Sequence, residues 1–127
     1  MTEPAFTVSE LAGVTVLVCG PDGPPLGDER AALDLIGDAG YQGARWVAVP
    51  VQRCTDDFFR LRTRVAGGIV QKFANYRLGL AVLGDISGYV ADSAALADFV
   101  RESNRGAQLW FLPDVETFAA RLVESGA

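Results

Sequence analysis

The residues best able to do chemistry fall in three short stretches: Gln52-Arg53-Cys54-Thr55-Asp56-Asp57, Arg60-Leu61-Arg62-Thr63-Arg64 and Gly84-Asp85-Ile86-Ser87-Gly88-Tyr89. A carboxylate beside a guanidinium is a minimal acid–base pair when imidazole is missing. Asp85 would serve as acid or base, Arg53 as the oxyanion or carboxylate partner, and Ser87 or Tyr89 would orient a substrate. The plainer reading of Asp85 is an Asx turn, its carboxylate accepting the amides of residues 87 and 88. Histidine is absent, which removes imidazole bases and most zinc and non-haem iron sites, so neither metal nor cofactor is expected. Cys19 and Cys54 lie in apolar surroundings without a Cys-x-x-Cys pair and read as small buried hydrophobes. Cys54, preceded by Arg53, is the better candidate for a reactive thiol.

Other chemistries fail on their motifs. Gly20, Gly23 and Gly27 sit where a dinucleotide loop would, but Pro21, Pro24 and Pro25 remove amide donors that a pyrophosphate needs. There is no Gly-Lys-Ser/Thr and no Gly-x-Ser-x-Gly, and the single lysine, Lys72, falls within a helical pattern. The net charge is −5, yet the segment Arg45–Arg77 holds seven bases against two acids, leaving four bases and fourteen acids elsewhere. Such a split could dock an anion or pair complementary surfaces of two copies, or it could be a solvated helix face with pairs such as Asp56 to Arg60. Nucleic-acid binding is not expected from an acidic chain without an RNA-binding motif. No apolar run approaches the roughly 20 residues of a membrane helix, and Met1-Thr2-Glu3-Pro4 carries no signal pattern, so a soluble cytoplasmic domain is expected.

These residues must be held by a small set of elements. The 127 residues, 50% of them hydrophobic, suit one domain, with 20–27 as a surface loop. Phe6–Leu11 reads as a first strand turning at Ala12-Gly13, and Val14–Cys19, Trp46–Val51, Leu78–Leu83 and Gln108–Leu112 as strands buried on both sides. Trp46 and Trp110, on these strands, are core residues. Asp28 caps a helix to Ala39 with Gly40 as its C′ residue, a short turn near 56–60 leads to a helix over Thr63–Asn75, Asp92 or Ser93 caps a helix ending at Gly106, and Pro113-Asp114 opens the last. The order β-β-α-β-α-β-α-β-α predicts an α/β fold: a mixed, mostly parallel five-stranded sheet with helices on both faces and one antiparallel pair at its start. Gln52, Arg53, Asp85, Ser87 and Asp114 then emerge at the carboxyl ends of the strands, the usual ligand rim of such sheets.

Ordered stretches, among them Asp57-Phe58-Phe59-Arg60-Leu61, Gln71-Lys72-Phe73-Ala74-Asn75-Tyr76-Arg77, Leu83-Gly84-Asp85-Ile86-Ser87-Gly88-Tyr89 and Asp98-Phe99-Val100-Arg101-Glu102-Ser103-Asn104, closely resemble the bacterial domain of unknown function 4180. That family implies no reaction. Val82-Leu83-Gly84-Asp85 and Ala107-Gln108-Leu109-Trp110-Phe111 are more distantly similar to STAS-like domains, which include anti-sigma-factor antagonists switched by phosphorylation of a serine at the start of the second helix. Here that region offers only Thr55, followed by two acids, so the phosphoswitch is not carried over. The resulting expectation is a non-catalytic regulatory module binding a protein partner or small ligand, with Arg62, Arg64, Tyr76 and Tyr89 as anchors. The alternative is a small cofactor-independent enzyme using Asp85.

Overall fold

The computed structural model describes residues 6–125. Strands β1 (Phe6–Leu11) and β2 (Val14–Cys19) form an antiparallel hairpin. Its turn, Ala12-Gly13, has both residues at positive φ (54° and 80°), the geometry that matches the twist of the flanking strands. Then follow α1 (Glu29–Gln42), β3 (Trp46–Pro50), a 3-10 turn, α2 (Asp56–Phe59), a second 3-10 turn over Leu61–Thr63, α3 (Val65–Asn75) and β4 (Gly79–Leu83). The chain closes with α4 (Ser87–Ala91), α5 (Ala94–Arg105), β5 (Leu109–Leu112) and α6 (Val115–Glu124). The sheet order is β1-β2-β3-β4-β5, with β2 to β5 parallel, so the expected mixed five-stranded α/β fold is what forms. Among the described residues no helix is long and apolar enough to cross a membrane.

Strand alternation divides the core in two. Leu17, Val47, Val49, Leu80, Val82, Leu109 and Phe111 face α1, α3 and α5. Val14, Val16, Trp46, Ala48, Ala81 and Trp110 face Phe118 and Leu122 of α6. Helices do cover both faces, but unequally: all three crossovers pack on one side and α6 alone on the other. The cause is the strand order. Strands added always in one direction, with connections of one hand, put every crossover on the same face. The sheet therefore lacks the reversal of strand order that creates a ligand crevice in doubly wound folds.

Local signals set the helix ends. The side chains of Asp28, Ser93 and Asp114 accept the N–H of Ala31, Leu96 and Thr117 at 2.8, 3.1 and 2.8 Å. Helix α1 runs three residues beyond the expected Ala39. Its C′ residue is Gly43, at φ 71°, whose N–H donates to Gly40 O while Ala44 N donates to Ala39 O. Helix α4 was not expected from the pattern, and α3 starts at Val65 rather than Thr63. On the α6 side, the Trp46 and Trp110 rings stack with centroids 4.2 Å apart. Gly79, paired with Trp46 across β3 and β4, makes room: a Cβ there would lie 2.4 Å from the indole.

Candidate functional site

Parallel strands bring the chain segments after β3 and β4 to one rim, since Pro50 pairs with Leu83 at their ends. The residues expected to form one polar patch there are nevertheless split. Arg53 is buried, at 4% exposure, because its guanidinium clamps the 20–27 loop. Nε and Nη2 donate to Pro24 O at 3.1 and 2.9 Å, and Nη1 donates to Gly20 O at 3.4 Å. Gly23, at φ 152°, lies directly against it, where a Cβ would come within 2.9 Å of the guanidinium carbon. The clamp is completed by Leu26, whose N–H donates to Arg53 O. Asp85 instead lines a separate open hollow with Ile86, Val90, Phe111 and Pro113, and Arg53 is no part of it.

Asp85 itself forms the Asx turn. Its carboxylate accepts Ser87 N–H at 2.9 Å together with the Ser87 hydroxyl, and these bonds hold it below the ordinary carboxylate range. A general acid at neutral pH needs the opposite, a desolvated carboxyl with a raised pKa, whereas this group is fully exposed. Ser87 is committed to the same turn, and Gln52 is exposed. Both cysteines are buried. Burial pushes the Cys54 thiol up to about 12 and the Cys19 thiol up to about 11, against the opposing pull of Arg53. Neither thiol is therefore poised as a thiolate nucleophile at neutral pH, Cys54 included. The Thr55 hydroxyl is sealed without a hydrogen-bond partner behind Gly27, where a Cβ would meet the threonine methyl at 2.5 Å.

A different set of residues does converge. Between α2 with the following 3-10 turn and α4 with the start of α5 lies a cleft of about 560 Å³. Phe59, Leu61, Arg60 and Arg62 form one wall, and Tyr89, Asp92, Ser93 and Ala95 the other. Tyr89 is fixed at both ends: its ring stacks on Phe59 at 4.2 Å and 14°, and its hydroxyl donates to Asp56 Oδ1 at 2.7 Å. That bond to a carboxylate raises the phenol's pKa. Asp56 thus pairs with Tyr89 rather than with Arg60, which reaches Asp57 at 3.7 Å. Arg62 and Arg64 are exposed, and neither guanidinium has a partner among the described residues. Tyr76 is 59% exposed but belongs elsewhere, past the far end of α3, about 16 Å of helix away from Arg64.

Asp56, Phe59, Asp92 and Ser93 were not singled out by the sequence as site residues. The Phe58-Phe59 pair was the available signal: both rings are buried in the core, and Phe59 also carries Tyr89. Among the described residues no group of three histidine, cysteine or carboxylate side chains is arranged to hold a metal ion.

The searches of curated proteins and of solved structures returned no match, and nothing in the comparisons supports the likeness to STAS-like domains. The family model described as domain of unknown function (DUF4180) matches residues 11–122, from the end of β1 into α6, and the chain belongs to that family.

Proposed function

We propose that this domain works by binding, and that the cleft beside Tyr89 receives a segment of a partner protein that presents an apolar side chain next to a carboxylate. The carrying observation is the immobilised tyrosine. A ring already stacked on Phe59 and tethered to Asp56 loses little freedom when a partner packs on it, which is how aromatic anchors concentrate binding energy. Leu61 and Ala95 extend the apolar surface, and Arg62 supplies a cation with no carboxylate of its own. Arg64, two residues further on and outside the cleft lining, is a second exposed cation that would raise the rate of encounter with an acidic partner.

The test uses the intact domain as bait in extracts of its native host. The Arg62→Glu/Arg64→Glu double variant should lose the captured partner while its Tm stays within about 3 °C of the parent, because both side chains are exposed. Tyr89→Ala should weaken capture as well, by about tenfold or more. Unchanged capture by the arginine variant would remove this surface from consideration.

A further inference from the structure

Four arginines of the basic segment have guanidinium groups without partners among the described residues, and they form two pairs at opposite ends of α3: Arg62 with Arg64, and Arg45 with Arg77. The second pair lies away from the Tyr89 cleft, at the amino ends of the strands. There Arg45, Arg77 and Gln108 line a cleft of about 350 Å³ with Trp46, Leu78 and Gly79, and among the described residues no carboxylate lines it. The backbone brings the segments that carry the pair to the same end of the sheet, since Gly79 N donates to Arg45 O at 3.0 Å.

Arg77 occupies a costly position. Leu78 N donates to Phe73 O, and Arg77 N donates to Ala74 O, so Arg77 is the C′ residue of a Schellman motif, in the left-handed region at φ 57°. The same motif ends α1, and there the C′ residue is Gly43. An L residue is strained in this conformation and glycine is not. The two arginines are not needed to cap Ala39 O and Gly40 O of α1 or Phe73 O and Ala74 O of α3, because backbone N–H groups already occupy these four carbonyls. What the side chain at 77 adds is a second cation facing the same cleft as Arg45.

We infer that the Arg45–Arg77 cleft is a binding site for a small oxyanion-bearing molecule, its phosphate or carboxylate group held between the two guanidinium groups. Paired guanidinium forks match either group through charge-assisted hydrogen bonds, and the volume suits a small metabolite rather than a polymer.

The experiment titrates the full chain with inorganic phosphate and, separately, with succinate, following arginine Nε resonances at ionic strength held constant with chloride. Saturable shifts at Arg45 and Arg77, with Arg62 and Arg64 moving little, are expected for one or both anions, and which anion saturates assigns the group. Arg45→Gln and Arg77→Gly should each weaken the response by about tenfold or more. Arg77→Gly should at the same time raise Tm by about 4 °C, since it relaxes the backbone. Responses no larger than those to chloride, or equal at all four arginines, would overturn the site. So would a lower Tm for Arg77→Gly, which would make that side chain a structural one.

Discussion

At the scale of single residues, the chain uses its polar groups to fasten loops. Arg53 ties down a stretch with three prolines and three glycines that has no regular structure to hold it. Replacing it with methionine keeps much of the volume but leaves Pro24 O and Gly20 O without their donors. The expected cost is about 1–3 kcal/mol in urea unfolding. The thiols beneath this loop give a second expectation. Their folded pKa values lie above the unfolded value near 9, so the folded state keeps protons that the unfolded state releases. Stability is fully present below pH 9 and falls as pH rises toward about 11 for Cys19 and about 12 for Cys54. The urea midpoint should decline above pH 9 in the parent and more shallowly in a Cys19→Ala/Cys54→Ala variant. The Asx turn at Asp85 was legible because its partner is two residues away. The clamp of Arg53 was not: its acceptors lie 29 and 33 residues distant in a segment without periodicity, and an arginine after a strand looks the same whether it faces solvent or folds inward.

At the scale of elements, glycines decide how closely the pieces approach and where they stop. Gly43→Ala places a Cβ at φ 71° and should cost about 1 kcal/mol by thermal unfolding, a local loss without rearrangement. Gly79→Ala drives a Cβ into the Trp46 ring and should cost about 1–3 kcal/mol, with a change in tryptophan emission that Gly43→Ala does not produce. Capping residues gave the helix starts directly, since Asp28, Ser93 and Asp114 act within one turn. Helix ends were harder to read: Gly40 and Gly43 are both plausible stops, and only the left-handed conformation of Gly43 distinguishes them. The five residues of α4 are too few for a helical stripe to register, so the wall carrying Tyr89 was hidden in what read as a loop. The Tyr89 cleft therefore had two legible members, Arg62 and Tyr89, but no legible shape.

At the scale of the molecule, the two faces of the sheet are unequal in support. One is covered by three crossovers; the other depends on Phe118 and Leu122 of a single helix laid over the stacked tryptophans. Phe118→Ala should cost about 3–5 kcal/mol and shift tryptophan emission to the red, because both indoles lie on the α6 side. A variant such as Ile69→Ala, buried on the opposite side, should lose about 2–5 kcal/mol with native emission unchanged before unfolding. Strand number and direction were legible from the alternation of apolar runs with capped helices, whereas the order of strands in the sheet and the lopsided cover that follows from it were not. The topology has a further consequence for synthesis. Each strand after the first pairs with the one made immediately before it, so every new strand leaving the ribosome finds its neighbour already waiting. Assembly can run as a zip from the amino end, each step closing one crossover between neighbouring strands. Until translation delivers the final helix, the nascent sheet carries two bare indoles, and that is the interval in which a chaperone would find most to hold.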